Sequence, residues 1–217
     1  FGHCPGRVGV FGHDEYRPGD LEPPVVSCPA GTPGDAAIDP QEARGTGLEL
    51  VRAGKVAALT VAGGQGTRLG FDGPKGTLPI GPASGRTLFE VFADQIRAAG
   101  DWAGQPIPWL IMTSPLNHAQ TMRFFEDRDW LGLDRAQVRF FTQGVMPSFC
   151  PRTGRLLLAD KGSLATNPDG HGGVVRALSR SGELERLERA GVEHLSYFQV
   201  DNPLVPPIDP LFLGAHA

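Results

Sequence analysis

The sequence predicts an α/β domain built on a mainly parallel, mixed central sheet flanked by helices. Three observations predict it. From Lys55 onward, apolar runs of strand length alternate with stretches of helical period. The first run, KVAALTV at residues 55–61, has the length and branching of a buried strand. It empties directly into AGGQGTRLG at residues 62–70, where Gly63, Gly64, Gly66 and Gly70 remove side-chain bulk and let backbone approach a ligand closely.

Taken in order, the first strand is residues 55–61. A helix follows at 88–99, where Leu88, Val91, Phe92, Ile96 and Ala99 recur at helical spacing. Thr87 with Glu90 three residues on is a capping box, and Gly100 is expected to close the far end. PWLIMT, residues 108–113, reads as the second strand, and the stretch from near Asn117, with Met122 and Phe125, as the second helix. Residues 138–142 form a third strand with Gln143 and Gly144 at its exit, and residues 155–160 one strand of an excursion hairpin. Residues 174–179 and 183–190 are helical, interrupted around Gly182, and the strand at 194–200 delivers Asp201 and Asn202 at its end. Open parallel sheets bind ligands beyond the carboxyl ends of their strands. Gly63, Gly64, Gln143 and Asp201 are therefore expected on one edge.

Composition bounds the rest. A chain of 217 residues, 40% hydrophobic, can bury one sizeable core. Its first 46 residues hold seven prolines and eight glycines with almost no period, so residues 1–46 read as an irregular segment and 47–217 as the packed domain that carries the motifs. A net charge of -4 gives no broad basic footprint for nucleic acid. Cys4, Cys28 and Cys150 are widely spaced and fit no zinc pattern, which reads as free thiols in a reducing cytoplasm. No apolar run reaches the roughly 18 to 20 residues of a membrane helix.

The glycine turn points to a phosphate. Amides exposed in such a turn form an anion-binding concavity, and Arg68 and Lys75, the latter in PKG, add two cations. A P-loop needs GxxxxGK followed by Ser or Thr, which is absent. A dinucleotide fingerprint counted from Gly64 finds Leu69 at its third glycine position, with Gly70 one residue late. What remains, AGGQGTRLG with PKG, resembles the nucleotide-binding loop of the UDP-sugar pyrophosphorylase family of uridylyltransferases. Four further blocks resemble that family in its order: residues 112–125 (MTSPLNHAQTMRFF), 138–149 (VRFFTQGVMPSF), 168–173 (PDGHGG) and 199–204 (QVDNPL).

The resemblance implies a Rossmann-like nucleotidyltransferase domain, UTP and a sugar 1-phosphate as substrates, and Mg²⁺ as cofactor. It implies Arg68 and Lys75 as catalytic residues at the triphosphate. Ala62, Gly63, Gly64, Gly66, Thr67, Gln143, Gly170, His171 and Asn202 fall to the nucleotide, and Asp201 to the metal. A glutamine amide donates and accepts, matching the edge of uracil, and a single hard carboxylate with phosphate oxygens is how Mg²⁺ is usually held. The plainer readings are a surface arginine at 68, a turn lysine at 75, an Asx turn at 201–202 and a structural histidine at 171. His118, Asp127, Asp129, His3 and His13 receive no role. His171 stands where N-acetylhexosamine enzymes of the family often carry Asn, which leans toward glucose. The family continues well beyond its VDNPL block, so the chain is expected to be the N-terminal part of a longer catalytic domain that binds uridine nucleotides weakly and turns over little. A nucleotide-binding module without activity, and a transferase using another base, are the alternatives.

Overall fold

In a computed structural model, the structure describes residues 38–217. The expectations for residues 1–37, including Cys4 and Cys28, lie outside the described residues. The chain opens with α1 (Pro40–Arg52) and β1 (Val56–Val61), followed by α2 (Leu88–Ala103), β2 (Trp109–Thr113), α3 (His118–Glu126) and β3 (Val138–Thr142). Short strands β4 (Val145–Pro147), β5 (Leu158–Asp160), β6 (Ser163–Leu164) and β7 (Thr166–Pro168) form an excursion before α4 (Val174–Arg180), α5 (Glu183–Arg189), β8 (His194–Gln199) and α6 (Pro210–His216).

The central sheet has the order β3-β2-β1-β8, and all its pairings are parallel. Antiparallel pairing is confined to two small ribbons, β4 with β7 and β5 with β6, the second being the expected excursion hairpin. Side chains alternate across a strand, so Val56 and Ala58 of β1 enter one apolar layer while Ala57 and Leu59 enter the other. The first layer, with Phe92, Ile96 and Val51, packs under α1 and α2; the second, with Val174, Leu178 and Leu187, packs under α4 and α5. Apolar layers on both faces explain why β1 and β2 read as unbroken apolar runs rather than alternating ones. An edge-to-face aromatic cluster of Phe89, Trp109 and Phe125 fills the first layer.

The capping box forms as expected. Thr87 Oγ1 accepts from the Glu90 amide, and the Glu90 carboxylate accepts from the Thr87 amide at 2.7 Å. Thr87→Ala removes the cap, with an expected loss of about 1 kcal/mol and a fall in melting temperature of about 2–4 °C. Calorimetric melting checks it, and an unchanged melting temperature contradicts the cap's role.

Two expectations are corrected. Gly100 does not end α2, which runs to Ala103 and stops at Gly104 in the left-handed region (φ 78°). Gly100 is instead buried where a Cβ would lie 3.0 Å from the Gln105 carbonyl oxygen, so its glycine serves close approach rather than termination. Residues 40–46 are not irregular but belong to α1. Asp39 caps it by accepting from the Gln41 amide, and Pro40 sits at its first position, where no amide is needed. Two glycines outside that segment are contact points between α1 and α6. A Cβ at Gly47 would fall 1.8 Å from the Pro210 carbonyl oxygen of α6, and one at Gly214 1.7 Å from that of Ala43. Among the described residues, no helix is long and apolar enough to cross a membrane.

Candidate functional site

In the parallel register Val61 lies beside Met112 and Gln199, and Thr113 beside Thr142, so the four carboxyl ends finish on one edge. From β1 the chain crosses to β2 and β3 on one side, whereas β8 lies on the other. The junction of β1 and β8 is the topological switch point, where open α/β sheets form a ligand crevice. A cleft of about 260 Å³ lies there, its wall including Gly63, Gly64, Lys75, Gln143, Gly170, His171 and Asp201.

Each wall is fixed locally. Gly63 stands against Gln143: a Cβ there would lie 2.8 Å from Gln143 Oε1, so only glycine leaves this amide undisturbed. Gln143 is buried, and its backbone amide bonds the Thr113 carbonyl at 2.8 Å. The Gly63, Gly64 and Gln65 amides donate to no protein acceptor among the described residues, the state expected of a loop that receives an anion. Lys75 is held by its amide on the Gly64 carbonyl at 3.0 Å. The PKG glycine has a separate reason: a Cβ at Gly76 would penetrate the Phe89 ring, so Gly76 seats this turn on the aromatic cluster.

Lys75 Nζ pairs with Asp201 Oδ2 at 2.8 Å, joining the turn after β1 to the end of β8. The Lys75 ammonium, helped by the charge of His171, holds the Asp201 carboxyl below the usual carboxylate range against the opposing effect of burial. The pair is therefore intact above the ordinary Asp value of 3.8 and is lost only as pH falls through the lowered one. His171 Nδ1 hydrogen-bonds the Tyr197 hydroxyl of β8. Gly170 has φ 74° and ψ -169°, a region essentially restricted to glycine.

A family model described as UTP–glucose-1-phosphate uridylyltransferase matches residues 37–217. The chain belongs to the UTP–glucose-1-phosphate uridylyltransferase family. Its similar relatives include the UDP-N-acetylglucosamine pyrophosphorylase of Saccharomyces cerevisiae, 39% identical across 77% of this chain and 36% of the relative. Another is the UDP-N-acetylhexosamine pyrophosphorylase-like protein 1 of Xenopus tropicalis, 41% identical across 77% of this chain and 34% of the relative. Among solved structures, the Trypanosoma brucei uridine diphosphate N-acetylglucosamine pyrophosphorylase in complex with inhibitor superposes with a TM-score of 0.75 at 33% identity, covering 81% of this chain and 37% of that one. The chain thus spans little more than a third of the length of these relatives.

Of the family-implied residues, the structure gathers Gly63, Gly64, Lys75, Gln143, Gly170, His171 and Asp201 around the cleft. It does not bring Arg68 or Thr67 to that wall: both stand exposed on the short 3-10 turn Thr67–Leu69. Ala62 is fully buried and Gly66 packs against Phe71, so both shape the turn from behind. Asn202 lies exposed beside the cleft, with Oδ1 accepting from the Leu204 amide at 3.3 Å, the Asx turn that Asp-Asn-Pro also suggested. Sequence reading missed Tyr197, Gln199 and Val200 at the β8 end. Tyr197 carried a usable signal, standing four residues before Asp201 on the strand that delivers it. Cys150 is a free thiol. Among the described residues, no three His, Cys, Asp or Glu cluster as a metal set.

Proposed function

We propose that this cleft binds UTP and that the chain supplies the nucleotide half of a uridylyltransferase. In that reaction an oxygen of the sugar 1-phosphate attacks the α-phosphorus of UTP. The bond from the α-phosphorus to its bridging oxygen breaks, and pyrophosphate leaves with the electron pair. Transfers of this kind need positioning and charge neutralisation more than a protein nucleophile. The observation that carries the reading is the meeting of Gly63 and Gln143: unpaired amides suited to phosphate stand beside a buried carboxamide suited to a pyrimidine edge.

Lys75 neutralises charge on the reacting phosphates, and Arg68 serves the triphosphate from outside the wall. The Asp201 carboxylate is a hard oxygen donor at the cleft and fits Mg²⁺ held mainly through phosphate oxygens. When bound, the ion supplies charge neutralisation at the phosphates. Relatives at 39% and 41% identity carry N-acetylglucosamine or N-acetylhexosamine in their names, and this outweighs the lean toward glucose at His171. N-acetylhexosamine 1-phosphate is therefore the preferred acceptor, ahead of glucose 1-phosphate. The free thiol of Cys150 and the low charge fit a reducing, cytoplasmic setting without nucleic acid.

Calorimetric titration with UTP, CTP, ATP and GTP in the presence of Mg²⁺ tests the reading, alongside pyrophosphate release with each sugar 1-phosphate. UTP is expected to bind tightest. Equal binding of all four overturns base recognition by Gln143, and UTP binding without release assigns the chain to nucleotide binding alone.

A further inference from the structure

Asn117 occupies the residue before α3, the position where an Asn side chain ordinarily accepts from the helix's own first amides. It makes no such bond. Its fully buried amide is committed elsewhere: Oδ1 accepts from the Ser114 amide at 2.8 Å, while Nδ2 donates to the carbonyl oxygens of Ala62 at 3.0 Å and Gly64 at 3.3 Å. A local preference broken at a buried position, with both donor contacts aimed at one turn, is the mark of a residue kept for a site.

The two carbonyls fix two peptide planes. In a trans peptide the N–H points opposite to the C=O, and among the described residues no peptide is cis. Holding the Ala62 carbonyl toward Asn117 turns the Gly63 N–H away from it; holding the Gly64 carbonyl does the same for the Gln65 N–H. These are amides that find no protein acceptor among the described residues. We propose that Asn117 is the positioning residue of the glycine turn, clamping it from behind so that its free amides stand ready for the anionic part of a nucleotide. Glycine is the least conformationally restrained residue, and the turn's other ties, the Lys75 amide on Gly64 and the Gly66 amide on Gly73, leave the Ala62 plane free. The inference rests on the nucleotide reading of the cleft, though not on which base is bound.

Asn117→Ser separates this role from a structural one. Serine caps helices as well as asparagine does, but its hydroxyl is too short to bridge two carbonyls, so α3 is supported while the clamp is lost. Asn117→Asp keeps the acceptor for Ser114 and sets an oxygen against both carbonyls. Thr60→Val serves as control: it removes the buried bond from Trp109 Nε1, 2.7 Å long, in the same core without touching the turn. Affinity is measured by calorimetry with UTP, together with melting temperature. Asn117→Ser and Asn117→Asp are expected to weaken binding at least ~10-fold, the equivalent of the ~1.4 kcal/mol that one or two hydrogen bonds contribute. Thr60→Val is expected to bind within twofold of wild type despite its own loss of stability. Wild-type affinity in Asn117→Ser, or an equal loss in Thr60→Val, overturns the proposal. If wild type shows no preference for UTP, base recognition fails instead, and the same variants are compared with the triphosphate that binds tightest.

Discussion

If the proposed uridylyl transfer is correct, Lys75→Ala is expected to lower it by about 10²–10³-fold, the scale seen when one preorganised donor is removed from a developing charge, while UTP affinity changes only a few-fold. The asymmetry follows from where the ammonium stands. Lys75 is part-buried, tied by its backbone to Gly64 and by its side chain to Asp201, so it is already in place before any nucleotide arrives. A preplaced charge costs no reorganisation when the α-phosphorus is attacked, and its contribution grows as charge shifts onto the departing pyrophosphate. Removing it also strips Asp201 of its partner, and the Asp201 carboxyl returns toward its ordinary range. Steady-state turnover in a form of the protein competent for pyrophosphate release, set against calorimetric affinity, is the measurement. Turnover within twofold of wild type removes Lys75 from the chemistry.

Gly63→Ala is expected to abolish most discrimination between UTP and CTP while leaving the fold intact. The added methyl would meet the Gln143 carboxamide at 2.8 to 3.0 Å, closer than side chains tolerate. What must give way is the end of a flexible side chain rather than backbone, so stability changes little. Displacing the carboxamide loses one or two hydrogen bonds to the base edge, or roughly 1–3 kcal/mol, which is about five- to 150-fold in the ratio of the two dissociation constants. Unchanged discrimination shows that Gln143 does not read the base.

How much of this was legible in the sequence depends on whether the controlling contacts were local. β1 and β2 stood out because covering both faces of a parallel strand demands consecutive apolar residues, and α2 because its capping box lies within four positions of chain. Motifs after β1, β3 and β8 converged because parallel register places carboxyl ends together, a topological consequence that needs no side-chain detail. Long-range contact defeated the reading elsewhere. Residues 40–46 looked irregular because nothing near them in sequence reveals α6, whose Pro210 lies on the Cα of Gly47, and Gly100 looked like a terminator because Gln105 returns across it only after the turn at Gly104. Asn117 read as an ordinary helix start, since a cap and a clamp use the same residue type and differ only in which backbone lies across from it. Arg68 was placed by its position in the motif, yet the 3-10 turn leaves it exposed and off the cleft wall.

The most direct test of a shared nucleotide cleft is amide chemical-shift mapping of the protein as UTP and Mg²⁺ are added. The backbone amides of Gly63, Gly64 and Gln65 and the side-chain amide of Gln143 are expected to shift together along one saturation curve, with Gly170 following. Shifts gathered instead around the apolar groove of Pro108, Leu110 and Leu187 at the far ends of β2 and β3, with the Gly63 and Gln143 signals still, would contradict the account.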